Sequence, residues 1–199
     1  MPSSRGALLI VDVQNDFCPG GALAVAQGDK VVPALNRYIE IFSKGKNPVI
    51  ASRDWHPAKT RHFKNFGGPW PIHCVQNTPG AAFHPALKLP PRTIIVSKGM
   101  DLEKDSYSAF QAIDERGQPF LEILNDLDVK ELWIGGLATD YCVKASVLDA
   151  LKDFDVKLLM DAIEGVNIHP DDSKRAIEEM VAAGAQKMTF GQISKTRGQ

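Results

Sequence analysis

The chain has 199 residues, 44% of them hydrophobic, with 23 Lys and Arg against 24 Asp and Glu for a net charge of −1. That size and apolar content predict a single compact domain over residues 1–199, large enough for a sheet flanked by helices. A near-neutral chain with scattered basic residues disfavours a nucleic-acid partner, and no apolar segment approaches the roughly 20 residues that cross a bilayer.

The first six residues lead straight into a strand-like segment and lack the hydrophobic stretch of a secretory signal. Three cysteines, Cys18, Cys74 and Cys142, form an odd set without C-x-x-C spacing. Together these features predict a reduced, cytoplasmic protein with no disulfide framework. Residues 7–11 are continuously apolar, as a strand buried on both faces of a parallel sheet requires, and end at Asp12. A loop over 14–28 follows, then a helix with Leu35, Ile39 and Phe42 on one face and Gly45 as its stop. Residues 48–52 read as a second buried strand, ending at Arg53-Asp54-Trp55-His56-Pro57. The stretch from 57 to 91 is irregular, rich in Gly, Pro, His and aromatics, and so long a structureless stretch signals function.

Residues 93–96 predict a third strand, ending at Ser97-Lys98-Gly99, before a second irregular stretch that contains Ser106-Tyr107-Ser108-Ala109-Phe110. Phe120, Leu124 and Leu127 mark the next helix, and residues 131–134 a fourth strand that meets Gly135 and Gly136. The helical spacing of Val143, Val147 and Leu151 predicts a helix starting near Thr139 or Asp140. A fifth strand over 156–160 ends at Asp161. The helix from about Asp171 turns Ile177, Met180 and Val181 inward and stops at Gly184, and residues 187–190 give a last short strand. Buried strands alternating with amphipathic helices predict an α/β fold, about six mostly parallel strands with helices on both faces.

Ligands of such sheets bind beyond the carboxyl ends of the strands. Those ends carry Asp12, Asp54 with His56, Lys98, and, just past the fourth, Cys142. Singly, each has an ordinary explanation: a capping aspartate, a snorkelling lysine, a packed cysteine. Jointly they make a nucleophile set. Cys142 falls in a first helical turn, where unpaired N–H groups and the helix dipole favour a thiolate. Asp12 can take the thiol proton and return it to a leaving amine, while Lys98 holds Asp12 ionised. Backbone N–H groups of Ala138 and Cys142 would face a tetrahedral oxyanion. This is acyl-transfer chemistry suited to an amide.

A second cluster reads as a metal site. Asp54 and His56 lie two apart at a strand end and share a face. His73, and as a weaker candidate His62, come from the irregular stretch. One carboxylate and imidazoles with open positions suit one divalent ion, zinc first, with iron or manganese as alternatives. His84 and His169 read as structural or surface residues, and Cys18 and Cys74 as packing.

Five segments, taken in order, carry a resemblance. They are Val11-Asp12-Val13-Gln14-Asn15-Asp16-Phe17-Cys18, Asp54-Trp55-His56-Pro57, Trp70-Pro71-Ile72-His73-Cys74-Val75, Ser97-Lys98-Gly99 and Gly136-Leu137-Ala138-Thr139-Asp140-Tyr141-Cys142-Val143. Over nearly the whole chain this pattern resembles the nicotinamidase/pyrazinamidase family of isochorismatase-like cysteine hydrolases. The resemblance implies a six-stranded parallel sheet and hydrolysis of nicotinamide to nicotinate and ammonia, with pyrazinamide as an alternative substrate. It implies a catalytic triad of Asp12, Lys98 and Cys142, and metal ligands Asp54, His56 and His73, joined by His62 in some relatives. It also implies a ring pocket of Phe17, Trp70 and Tyr107, with Leu137 and Tyr141 as additions, and a cis peptide at Leu137-Ala138. A metal-free amidase of the same superfamily would need Cys142 but not the Asp54, His56 and His73 set. Vinyl-ether hydrolysis of the isochorismatase type would not need Cys142, and a nucleotide-binding module would need G-x-G-x-x-G where Asp12 and Asp16 stand. The partner is therefore expected to be a small molecule, not nucleic acid or membrane, and the soluble fold is compatible with monomer, dimer or tetramer.

Overall fold

The structure, a computed structural model, describes residues 2–3 and 5–195. Six strands, β1 (Gly6–Val11), β2 (Val49–Asp54), β3 (Ile94–Lys98), β4 (Glu131–Leu137), β5 (Asp155–Glu164) and β6 (Gln186–Met188), form one sheet in the order β3-β2-β1-β4-β5-β6. Every pairing is parallel. The helices are α1 (Val31–Lys44), α2 (Phe120–Asp126), α3 (Lys144–Ala150), α4 (Asp172–Ala182) and α5 (Phe190–Lys195).

The apolar run of β1 explains the layering. Successive side chains of a strand point to opposite faces. Ala7, Leu9 and Val11 join one core with Phe120 and Leu124 of α2, Val147 of α3 and Met180 of α4. Leu8 and Ile10 join the other, with Leu35, Tyr38 and Phe42 of α1 and Ile193 of α5. Both faces are thus covered, as the sequence pattern requires. The two edges are not: Ile95 of β3 is exposed, as is most of β6. Strand order reverses between β1 and β4, so the crevice of this sheet lies beyond Val11 and Leu137.

Four expectations need correction. The fifth strand runs on past Met160 to Glu164, where its pairing with β4 resumes beyond an irregularity. Thr139–Val143 is a π-helical turn and α3 proper starts at Lys144. The N–H groups of Tyr141 and Val143 both reach back to the Ala138 carbonyl, each at 3.0 Å. The spacing of Val143 and Val147 survives this wider turn, which is why periodicity alone suggests an ordinary helix. The last strand stops at Met188, and Phe190 opens α5. The Phe190 N–H donates to Asp161 Oδ2 at 3.0 Å, and its ring meets Tyr38 edge-on at 5.4 Å. Val181 is exposed, because Ala176 and Met180 occupy the inner stripe of α4 and the next position turns away from it.

At the switch point, Gly136 pairs with Val11 at a φ of +127°, and a Cβ there would run into the Val11 backbone. Gly136→Ala therefore combines a disfavoured backbone conformation with a steric clash in the sheet centre. It is expected to lower unfolding stability by about 3 kcal/mol or more, read from urea titration. A loss below about 1 kcal/mol would show that the strand ends can spread without cost.

Candidate active site

Four strand ends meet around one ammonium group. Asp12, the first residue after β1, is fully buried, and its N–H donates to the Ser52 carbonyl at 3.2 Å. Ser52 Oγ donates to Asp12 Oδ1 at 2.7 Å. Lys98 ends β3 beside Asp54, its register partner at the end of β2. Its Nζ lies 2.9 Å from Asp12 Oδ2, hydrogen-bonds Asp54 Oδ1 and sits 3.5 Å from Cys142 Sγ. One side-chain atom each of Asp12, Asp54 and Cys142 falls within 4.8 Å of the others. Two carboxylates and a thiol therefore share a single buried cation.

Protonation in this cluster follows from burial and neighbouring charge. Burial raises the Asp12 carboxyl above its usual range despite Lys98, which makes it a stronger proton acceptor. Burial also pushes the Cys142 thiol well up; Lys98 opposes this, and the charge of Asp12 adds to it. Cys142 therefore rests as a thiol until Asp12 takes its proton, as the sequence reading has it. Burial would raise Asp54 as well, but the Lys98 ammonium holds it below the ordinary carboxylate range. Lys98 stays charged: burial disfavours its ammonium, and Asp12 with Asp54 more than compensates.

Next to Asp54 stand three imidazoles. His56 Nδ1 donates to the Gly99 carbonyl at 2.9 Å, His73 Nδ1 to the Pro71 carbonyl at 2.8 Å, and His62 Nδ1 to the Asp105 carboxylate. Each ring therefore keeps Nε2 as its free lone pair. The His56 and His62 rings stack at 4.4 Å, and one ring nitrogen of each of the three histidines lies within 4.8 Å of the others. His56 Nε2 and His73 Nε2 are 3.5 and 3.9 Å from Asp54 Oδ2. Burial lowers His73 to about 4 and also depresses His62, so both are neutral near pH 7. His56 Nε2 is buried without a hydrogen-bond partner, a costly state unless a ligand accepts its lone pair. Imidazoles oriented through Nδ1, with an anionic oxygen beside them, are a donor set that fits a divalent cation.

Above both clusters opens a pocket. Phe17, Trp70, Tyr107, Leu137 and Tyr141 all line it, together with Asp54, His62, His73, Ala138 and Cys142. Trp70 Nε1 donates to the Tyr107 hydroxyl at 2.9 Å, and the Phe17 ring lies 5.5 Å from His73. The Leu137–Ala138 peptide is cis. The N–H groups of Ala138 and Cys142 make none of the turn and loop hydrogen bonds of the described residues. His169 is exposed, and His84 Nδ1 accepts the Ala86 N–H in a local turn. All three cysteines are free and buried.

Sequence reasoning missed the supports. Ser52 orients Asp12, and Asp105 orients His62. Gln14 exchanges hydrogen bonds with both backbone groups of Asp54, each at 2.8 Å. Leu23, Val25 and Val166, which line the pocket as Ser106 also does, were missed as well. Only Gln14, two residues after Asp12 in the Val11-to-Cys18 motif, stood in a pattern that could have drawn notice.

A family model described as the isochorismatase domain matches residues 6–192. The chain is 44% identical to a nicotinamidase of Escherichia coli, covering 96% of this chain and 98% of that one. It is 38% identical to a nicotinamidase/pyrazinamidase of Mycobacterium tuberculosis, over 90% of this chain and 96% of the other. Among solved structures it is similar to a pyrazinamidase of Pyrococcus horikoshii in complex with zinc. That match has a TM-score of 0.87 and 46% identity, over 94% of this chain and 99% of that one.

The depressed His73 gives a signed pH dependence. Unfolded, the ring binds a proton near pH 6.5; folded and metal-free, only near pH 4. Stability of chelator-treated protein is therefore complete above 6.5 and is lost as pH falls towards 4. The loss from this ring is about 3 kcal/mol. Denaturant titration across that range checks it, and His73→Gln should flatten the slope. An unchanged slope in the variant would assign the acid sensitivity elsewhere.

Proposed function

This chain belongs to the isochorismatase family, and on that premise we propose that it is a metal-dependent cysteine amidohydrolase. It converts nicotinamide to nicotinate and ammonia through a thioester, and pyrazinamide to pyrazinoate by the same route. The observation that carries this reading is the double role of Asp54. One of its oxygens bonds Lys98 of the thiol cluster, and the other faces His56 and His73, so both clusters serve one aromatic-lined pocket.

In this reading Asp12, Lys98 and Cys142 are the catalytic residues. Asp12 Oδ2 is the oxygen to take the Sγ proton, since Oδ1 accepts the Ser52 hydroxyl while Oδ2, ion-paired with Lys98, has no hydrogen-bond donor. The sulfur then attacks the carboxamide carbon, and the oxyanion rests against the N–H groups of Ala138 and Cys142. Lys98 keeps its charge throughout and offsets the negative charge that passes between Asp12 and the sulfur. Asp12 gives its proton to the departing nitrogen, ammonia leaves, and the acyl group stays on Cys142. Asp12 next deprotonates a water, which attacks the thioester carbonyl; the C–S bond breaks and the sulfur regains a proton.

Asp54, His56, His62 and His73 would hold one divalent ion, zinc in the first instance and iron or manganese otherwise. When bound it supplies a Lewis acid that anchors the ring nitrogen and draws electron density from the carboxamide. Phe17, Trp70, Tyr107, Leu137 and Tyr141 enclose the ring and exclude water. The substrate is a small molecule and the whole chain acts as one domain. Among the described residues no helix is long and apolar enough to cross a membrane. Free, buried cysteines are in keeping with a cytoplasmic setting.

Ammonia release from nicotinamide, followed with and without a chelator, tests the activity. Turnover should disappear on chelation and return with added zinc; turnover indifferent to metal would favour a metal-free amidase. Cys142→Ala should lower kcat by at least about a thousandfold while circular dichroism and metal content stay as in the wild type. Ammonia release from that variant at the wild-type rate would remove the thiol from the mechanism.

A further inference from the structure

Asp140 has no part in the reaction as drawn, yet its carboxylate is fully engaged. It lies in the π-helical turn two residues before Cys142. Oδ1 accepts the Val166 N–H at 3.0 Å and Oδ2 accepts the Asn167 N–H at 2.8 Å. These two amides lie just past the end of β5, whose final register pair is Leu137 with Glu164. Asn167, in the left-handed region at φ +52°, passes the constraint on: its Oδ1 accepts the Ser173 N–H of α4 at 2.9 Å. The loop also lies close against α4, since a Cβ at Gly165 would strike the Ser173 side chain. Val166 is the residue of this loop that reaches the pocket, sharing its lining with Leu137, Tyr141 and Cys142.

We propose that Asp140 is a positioning residue that fixes Val166 as the size-limiting wall of the ring slot. Selectivity between bare and ring-substituted aromatic amides is then set by Val166 and enforced from Asp140. The inference rests on the amidase reading of the pocket. A carboxylate that accepts two consecutive N–H groups holds them by charge-assisted bonds, and a valine has little χ1 freedom with which to retreat. A hydrophobic wall of this kind discriminates a single methyl group by about 10- to 200-fold, but only while it stays in place. Without the clamp, the loop could yield to a larger ring. In Asp140→Asn the side chain keeps one acceptor and turns an NH₂ towards the second N–H, so the pair cannot be restored.

The test compares kcat/KM for nicotinamide with that for a set of ring-methylated nicotinamides, using zinc-loaded wild type, Val166→Ala and Asp140→Asn. Both variants should shift the ratio towards at least one methylated isomer by roughly tenfold or more, with the change carried mainly by KM. Equal losses on every amide in Asp140→Asn, or an unchanged ratio in Val166→Ala, would overturn the proposal. Amide hydrogen exchange gives a readout independent of turnover. The Val166 and Asn167 N–H groups should be protected in the wild type and lose that protection in Asp140→Asn; equal protection in both would refute the clamp. A wild-type chain that releases ammonia from none of these amides would refute the functional reading and the size limit with it, while exchange still decides the clamp.

Discussion

Lys98 carries its charge in a place that is 1% exposed to solvent. An isolated ammonium there would cost several kcal/mol, and its removal would strand two buried carboxylates at comparable cost. Asp12, Asp54 and Lys98 must therefore be kept or lost as a group. The parallel register makes the grouping possible, because Asp54 and Lys98 are ladder neighbours and Asp12 follows the adjacent strand. Everything chemical in the molecule hangs from that arrangement. The thiol is drawn to the cation from one side, and the imidazoles gather round the far oxygen of Asp54 on the other.

Such a centre stores reactivity in protonation, not in a standing charge. Burial keeps Cys142 as a thiol and strengthens Asp12 as an acceptor, so the two sites compete for one proton beside a fixed positive charge. A proton shared between groups of raised affinity can move with little change in the net charge of the cluster. Asp54 differs: Lys98 keeps it ionised, which leaves its second oxygen available to a cation. Two aspartates one strand apart thus take opposite tasks because their neighbours differ.

Much of this was legible in the sequence, for a physical reason. Strands buried on both faces read as unbroken apolar runs, so Asp12, Asp54 and Lys98 stand out as charges where the runs stop. Cys142 stood out by following a double glycine. Ser52 was invisible, since one serine in a strand has no signature, and its function depends on facing Asp12 across the sheet. Asp105 lies in a run of charges, Asp101, Glu103 and Lys104, where nothing marks the one residue that turns inward to His62. Val166 was hidden by the length of β5, which runs past Met160 to Glu164 and carries the following loop to the pocket. The π-helical turn was lost because hydrophobic spacing reports which face is buried, not which carbonyl each N–H finds.

The claim that the thiol cluster and the imidazole cluster act on one molecule is open to direct inspection. A crystal structure of zinc-loaded Cys142→Ala with nicotinamide bound should show the carboxamide carbon beside residue 142, its oxygen towards the Ala138 N–H, and the ring nitrogen towards His56, His62 and His73. A ring bound in the reverse orientation, or outside the space between the two clusters, would contradict the account.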